Sequence, residues 1–190
     1  MLAKLFVTIL NTSPAVKRSL WKWWYQRLAN RGLDTDWSFM NYGFIPTNGS
    51  SKLILEEEVE KDRVFIQLYD YAASQIPIEG LNVLEVGSGR GGGASFLANH
   101  YNPTKMTGLD YSQSAVELSQ HLHKNVSNLR FVQGDAEALP FDKNTFDSVI
   151  NVESSHCYGN MAAFVKETSR VLKPGGYFSW LDLQGEDMVS

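Results

Sequence analysis

The chain has 190 residues, of which 43% are hydrophobic and 20% charged; this predicts one folded domain with a substantial core and excludes an intrinsically disordered protein. Its single cysteine, Cys157, excludes an internal disulfide framework and fits a reducing, cytoplasmic setting. Residues 1–33 carry six basic side chains and no acid, whereas the other 157 residues carry 21 acids against 11 bases; a body this acidic argues against a nucleic-acid partner.

Residues 1–55 are predicted to form an N-terminal lid segment. Pro14 and Gly32 bound a predicted helix that is basic, amphipathic and rich in tryptophan, with Trp24 near its apolar face. Such a helix either packs on the body as a lid or contacts a membrane surface or lipid substrate, and one helix can do both. Tyr42 lies in an irregular aromatic stretch that we expect to line a pocket or pack on the core.

No apolar run approaches the roughly 20 residues of a membrane-spanning helix. The first ten residues also lack the apolar length and cleavage site of a secretion signal. We therefore expect a cytoplasmic protein, with residues 1–33 as the part that would attach it peripherally to a membrane.

Residues 56–190 are predicted to form a Rossmann-like, doubly wound α/β domain. Five apolar strands are predicted at 82–87, 105–110, 129–135, 146–153 and 177–183. Helices are predicted at about 56–76, 92–100, 112–124 and 160–172. Strands joined by crossover helices form a mainly parallel sheet, whose ligands lie at the carboxyl ends of the strands.

A glycine-rich loop follows the first predicted strand, in VLEVGSGRGGGASF. Gly87, Gly89 and Gly92 have the G-x-G-x-x-G spacing of a dinucleotide site, and Asp110 follows about 20 residues later, where an acid binds ribose hydroxyls. The same glycines also suit close approach to an adenosyl group that carries no phosphate. Asp110 could instead cap the helix that begins near Ser112.

Several segments together resemble the class I S-adenosylmethionine-dependent methyltransferases of the ubiquinone, menaquinone and sterol type. They are E-x-G-x-G-x-G from Glu85, Asp110, GDAEALPF (134–141), FDSVINVE (146–153) and LKPGG (172–176). Within that group, GSGRGGGASF, GDAEALPFD, INVESSHCY and RVLKPGGYF look like lipid methyltransferases that O-methylate phthiotriol-type long-chain diols. The resemblance covers about residues 80–183.

The resemblance implies S-adenosyl-L-methionine as cofactor and methyl transfer to a hydrophobic or lipid-like acceptor, at oxygen. A carbon methyltransferase acting on a quinone or sterol is the enzymatic alternative. A non-catalytic cofactor-binding module and a nicotinamide-dependent oxidoreductase are alternatives from other classes. No metal site is predicted, since the chain has no Cys/His cluster with zinc spacing.

Carried over by position, the resemblance implies cofactor-binding roles for nine residues. Those beside the methionine and ribose parts are Gly87, Gly89 and Gly91, with Glu85 at the loop entrance, Asp110 at the ribose diol and Asn151 near the methionine end. Those for the adenine are Tyr111 at its flank, with Asp135 and Ala136 at its edge.

Methyl transfer depends mainly on positioning and water exclusion, and an alcohol acceptor also profits from a general base. His156 follows the fourth predicted strand, where an acceptor would approach, and is a candidate for that base. The alternative is a histidine that is hydrogen-bonded within its loop. Glu153 is the competing candidate, either as the base or as the hydrogen-bond partner of His156.

Enzymes of this family usually continue past the fifth strand with a helix and two antiparallel strands. Here only QGEDMVS follows Leu183, so we expect strands six and seven to be missing. The exposed edge of strand five would then favour association between copies of the chain.

Overall fold

A computed structural model describes residues 37–47 and 53–183. The predicted helix between Pro14 and Gly32, with Trp24, lies outside the described residues. No helix in the described ranges is long and apolar enough to cross a membrane.

Five strands form a single parallel sheet in the order β3-β2-β1-β4-β5. Their bounds are β1 Asn82–Val86, β2 Lys105–Asp110, β3 Leu129–Gln133, β4 Phe146–Val152 and β5 Leu172–Leu181. The chain winds outward from β1 to β3 and then returns to place β4 on the other side of β1. This reversal of strand order lies between β1 and β4, and the predicted doubly wound fold is confirmed.

Within the described ranges, four α-helices flank the sheet. They are α1 Arg63–Ala73, α2 Gly92–His100, α3 Gln113–Leu122 and α4 Met161–Val171. Ser112 caps α3 by accepting the Ala115 N–H at 3.4 Å, and Asn160 caps α4 by accepting the Ala163 N–H at 3.0 Å. The cap of α3 is therefore Ser112, and the alternative that Asp110 caps this helix is wrong.

Two elements differ from the sequence prediction. The predicted helix from residue 56 begins as a 3-10 helix, Glu57–Asp62, with no buried residue, and becomes α-helical only at Arg63. The α-helical part is the part that packs on the core, and packing rather than propensity stabilises most helices. β5 begins at Leu172 instead of residue 177, because Leu172 pairs with Phe146 across a register shift.

The central strands β1, β2 and β4 are buried on both faces, as strands of parallel sheets are. Successive residues of β1 enter different apolar clusters: Val83 packs with α1 and α2, whereas Leu84 and Val86 pack with α4. Glu85 points to the same face as Val83, since side chains alternate along a strand.

Candidate cofactor and acceptor site

A large cavity lies at the carboxyl ends of β1 to β4, at the point where the strand order reverses. It encloses about 1210 Å³, including the solvent at its mouth. Its wall is formed by residues 37–41, 87–90, 92–93, 109–112, 134–137, 152–154 and 157–158, together with Tyr69 and Ala115.

The glycine-rich loop forms the cavity wall after β1. Gly87 has a φ of +80°, and a Cβ there would lie 2.2 Å from Ser154 Oγ. Gly89 also lines the cavity and donates its N–H to Asp110 Oδ2 at 2.8 Å. Gly91 does not line the cavity: its φ is +81°, and a Cβ there would lie 2.5 Å from the Phe131 ring. Gly91 is therefore required by packing on β3.

Replacing Gly87 with alanine is expected to destabilise the fold by ~2–4 kcal/mol, through a left-handed backbone and a steric clash with Ser154. Gly80→Ala is the matched control, because Gly80 has a φ of +71° but nothing within 4 Å of the added Cβ. Gly80→Ala should lower the free energy of unfolding only by the cost of the left-handed backbone, ~1 kcal/mol. Urea unfolding measures both; equal losses would show that close packing at Gly87 is unimportant.

Asp110 lies at the end of β2 with both carboxylate oxygens facing backbone donors. Oδ2 accepts the Gly89 N–H and Oδ1 accepts the Ser112 N–H, each at 2.8 Å. Burial raises the pKa of Asp110 to about 6, against the opposing effect of these hydrogen bonds. Asp110 therefore joins the glycine-rich loop to the start of α3. Tyr111 lies beside it on the cavity wall and is partly exposed.

Asp135 and Ala136 lie on the cavity wall after β3, on the side away from β4. Asp135 Oδ1 accepts the Glu137 N–H at 2.8 Å, which shapes the turn. Tyr111, Asp135 and Ala136 are therefore brought together on one side of the cavity.

Glu85 is fully buried and does not lie on the cavity wall. Its Oε1 accepts the hydroxyl of Tyr69 at 2.7 Å. Burial, with a smaller contribution from the charge of Asp110, raises the pKa of Glu85 to about 8, against the opposing effect of its hydrogen bond with Tyr69. Tyr69 itself lines the cavity, so Glu85 supports the wall from behind.

Asn151 is also buried behind the wall. Its Nδ2 donates to Val86 O at 2.9 Å and lies 2.7 Å from Ser154 Oγ and 3.0 Å from the Tyr158 hydroxyl. Ser154 and Tyr158 both line the cavity. Asn151 thus joins the end of β1 to Ser154 and Tyr158, which were not predicted from the sequence as site residues.

Glu153 lines the cavity directly after β4. It is a non-glycine residue with a φ of +45°, a strained conformation that recurs at functional sites. Its Oε2 accepts the backbone N–H of Tyr42 at 2.7 Å, and burial raises its pKa. The Tyr42 side chain is 80% exposed, so the contact of Tyr42 with the site is made by its backbone.

His156 is bonded to Asp182 at the end of β5. Nδ1 of His156 lies 2.8 Å from Asp182 Oδ1, and the backbone N–H of His156 donates to Oδ2 at 2.8 Å. Ser155 Oγ also donates to Oδ2. The Asp182 hydrogen bond, with a contribution from Cys157, raises the pKa of His156 to about 10, and the pKa of Asp182 is lowered.

The carboxylate bonded to His156 is therefore Asp182, and the interpretation of Glu153 as that hydrogen-bond partner is wrong. His156 itself does not line the cavity, but its neighbour Cys157 does. No local sequence pattern indicates Asp182, because it lies 26 residues beyond His156, at the end of a different strand.

The charge of the cavity wall indicates which ligand chemistry it accepts. Its described residues include four carboxylates but one basic side chain, Arg90, whose guanidinium lies 5.1 Å from the Trp37 ring. The carboxylates are Asp110, Asp135, Glu137 and Glu153. Such a wall fits a cationic sulfonium with an amine and a ribose diol, and disfavours a pyrophosphate. The described ranges contain no group of His, Cys, Asp or Glu that could hold a metal ion.

Comparison with solved structures identifies the fold class. The [4+2]-cyclase SpnF has a TM-score of 0.71 at 22% identity, over 87% of this chain and 60% of that one. The YcgJ protein from Bacillus subtilis has a TM-score of 0.60 at 30% identity, over 65% of this chain and 53% of that one. The molecule therefore has the Rossmann-like fold of S-adenosylmethionine-dependent methyltransferases, a class that uses S-adenosyl-L-methionine as cofactor.

The chain belongs to the methyltransferase domain family, whose model matches residues 84–180. It is 41% identical to a phthiotriol/phenolphthiotriol dimycocerosates methyltransferase from Mycobacterium tuberculosis, over 94% of this chain and 65% of the relative. It is 45% identical to a fatty-acid O-methyltransferase from Mycolicibacterium smegmatis, over 83% of this chain and 57% of the relative. The chain thus spans about two thirds of the length of the curated relatives it matches. The family resemblance inferred from the sequence is confirmed.

Proposed function

We propose that this protein transfers the methyl group of S-adenosylmethionine to a hydroxyl oxygen of a hydrophobic, lipid-like acceptor. The single observation that carries the proposal is a carboxylate-rich cavity whose wall includes Cys157, the chain neighbour of a hydrogen-bonded His156–Asp182 pair. Two relatives, named for phthiotriol compounds and for fatty-acid O-methylation, support a lipid acceptor and transfer to oxygen.

The cofactor is proposed to lie along the ends of β1 to β3. Asp110 would accept hydrogen bonds from the ribose diol, with Gly87 and Gly89 beside the ribose and methionine parts. Asp135 and Ala136 would meet the adenine edge, next to Tyr111. When bound there, S-adenosylmethionine supplies an electrophilic methyl group on a sulfonium, which needs no further activation.

The acceptor is proposed to enter from the side of β4. The residues of the segment 37–41 cover this cavity with the apolar side chains of Trp37, Phe39 and Met40. This segment is held in place by hydrogen bonds from the Gly92 N–H to Ser38 O at 3.2 Å and from the Tyr42 N–H to Glu153. An apolar cover of this kind suits a lipid chain and excludes water from the reacting oxygen. Attachment to a membrane through residues 1–33 remains a prediction from the sequence.

The His156–Asp182 pair is proposed as the general base. Nδ1 of His156 is hydrogen-bonded to Asp182, so His156 would take the hydroxyl proton at Nε2. Asp182 would stabilise the imidazolium that forms. A fatty-acid carboxylate is already ionised at neutral pH and needs no base, so this pair favours a hydroxyl acceptor. Glu153 would instead orient the acceptor hydroxyl by accepting its hydrogen bond.

The proposal is tested by incubating the protein with S-adenosylmethionine labelled in its methyl group and three probes: a long-chain diol, a long-chain fatty acid and a menaquinone precursor. Mass spectrometry should find the labelled methyl as an ether on the diol. Label on the fatty acid alone would contradict the hydroxyl acceptor, and label on ring carbon would favour C-methylation. His156→Ala should abolish most of the labelled ether.

A further inference from the structure

Residues 154–160, here called the acceptor loop, connect β4 to α4 and carry polar side chains to the cavity. Ser154 and Tyr158 line the cavity, whereas His156, which lies between them in the sequence, does not. The start of the loop is fixed where the Glu153 N–H donates to Leu181 O at 2.8 Å. Its middle is held by the hydrogen bonds of His156 and Ser155 to Asp182.

The far end of the acceptor loop is held by Glu137. Its Oε1 accepts the backbone N–H of Gly159 at 2.7 Å and that of Asn160 at 3.1 Å. Asn160 is the cap of α4, so these bonds fix where the helix begins. The N–H groups at the start of a helix favour a carboxylate, which strengthens this attachment.

Glu137 also belongs to the turn after β3 that we assign to the adenine. Asp135 Oδ1 accepts the Glu137 N–H at 2.8 Å, and Asp135 O accepts the Ala138 N–H at 3.1 Å. Asp135, Ala136 and Glu137 all line the cavity. A ligand that orders this turn therefore also fixes the backbone of Glu137. The carboxylate of Glu137 in turn holds the acceptor loop.

We infer that Glu137 is a positioning residue that couples occupation of the adenine side to the geometry of the acceptor loop. This inference rests on the proposed function, since it takes the adenosyl group to lie against Asp135 and Ala136. A bound cofactor holds the turn, and the turn holds Gly159 and Asn160 through Glu137. The acceptor loop then keeps Tyr158 on the cavity wall and fixes the position of His156 behind it.

The coupling is measured by NMR of the His156 imidazole, with S-adenosylhomocysteine as the probe. Loss of the signal in His156→Gln assigns it. In the wild-type chain, saturating S-adenosylhomocysteine should shift this resonance. Glu137→Ala, and Glu137→Asp with its shorter side chain, should reduce the induced shift to about half or less. Glu137→Gln should keep most of it, because the amide oxygen accepts the same two N–H groups.

Glu167→Ala is the matched control. Glu167 lies on α4 and accepts the backbone N–H of Leu139, in the same β3–β4 connection, at 2.9 Å, but it does not bond the acceptor loop. It should lower thermal stability yet leave the induced shift of His156 unchanged. The inference is overturned if Glu137→Ala responds like the wild type, if Glu167→Ala loses the shift equally, or if Glu137→Gln loses it as Glu137→Ala does.

The same experiment distinguishes failure of the coupling through Glu137 from failure of the proposed function. An intact affinity for S-adenosylhomocysteine without a response at His156 overturns the coupling alone. Failure of the wild-type chain to bind S-adenosylhomocysteine overturns both.

Discussion

Replacing Asp110 with alanine is expected to weaken the binding of S-adenosylhomocysteine by about 10- to 100-fold, since hydrogen bonds to a charged group contribute ~1.5–3 kcal/mol. The substitution removes the proposed acceptor for the ribose diol. It also releases the Gly89 and Ser112 N–H groups, which Asp110 holds at 2.8 Å each. Isothermal titration calorimetry measures the loss.

The matched control for this prediction is Glu79→Ala. Glu79 is an exposed acid that precedes β1, at the end of the sheet opposite the cavity, and its removal should leave the affinity unchanged. Because the pKa of Asp110 is raised to about 6, wild-type affinity should also fall below that pH. Asp110→Ala should lack this pH dependence; an affinity equal to wild type would contradict the ribose assignment.

Replacing His156 with alanine is expected to lower kcat on a long-chain alcohol by ~10²–10⁴-fold, the usual contribution of a general base. Binding of S-adenosylhomocysteine should change little, since His156 does not line the cavity. Asp182→Asn should also lower kcat, because it removes the carboxylate that orients the imidazole. Unchanged turnover in His156→Ala would contradict the base assignment.

The pH dependence of the same reaction distinguishes His156 from Glu153. The pKa of His156 is raised to about 10, so the imidazole is protonated at neutral pH and only its neutral form accepts a proton. We therefore expect kcat/KM to rise about tenfold per pH unit through the neutral range and to level off near pH 10. Asp182→Asn should move the rise to lower pH. A rate that is flat above neutral pH would favour Glu153.

Protonation of His156 should also affect stability. Its folded-state pKa lies above the ordinary 6.5, so the bond to Asp182 contributes fully below about pH 6.5 and is lost as pH rises towards 10. The stability of the wild-type chain should therefore approach that of Asp182→Asn across this range.

Most of the sheet and its helices could be predicted from the sequence. β2 and α2 have the predicted bounds, because short apolar runs and glycine or serine boundaries mark them locally. The start of β5 at Leu172 could not be predicted, because it depends on pairing with Phe146 in another strand. The 3-10 start before α1 likewise depends on where the helix first meets the core.

The sequence predicts those site residues that lie at the carboxyl ends of the parallel strands, where ligands of such sheets bind. Gly87, Asp110, Asp135 and Glu153 were selected because they follow the carboxyl ends of β1 to β4, and all four line the cavity. Glu85 was placed at the loop entrance, yet it lies inside β1, where strand alternation directs it behind the wall.

No local sequence pattern indicates that Tyr69 contacts Glu85 or that Asp182 contacts His156. Tyr69 reaches Glu85 from a helix 16 residues earlier, and Asp182 reaches His156 from the end of β5. Their roles depend on how distant elements pack, which a single sequence does not specify.

The central claim is that this cavity holds an adenosyl sulfonium cofactor and not a dinucleotide, although Gly87, Gly89 and Gly92 have the spacing of both. Calorimetric titration of the chain with S-adenosylhomocysteine and, separately, with NAD tests it most directly. Four carboxylates against one arginine on the wall predict saturable binding of S-adenosylhomocysteine and no measurable heat with NAD at the same concentrations. Preferential binding of NAD would contradict the account.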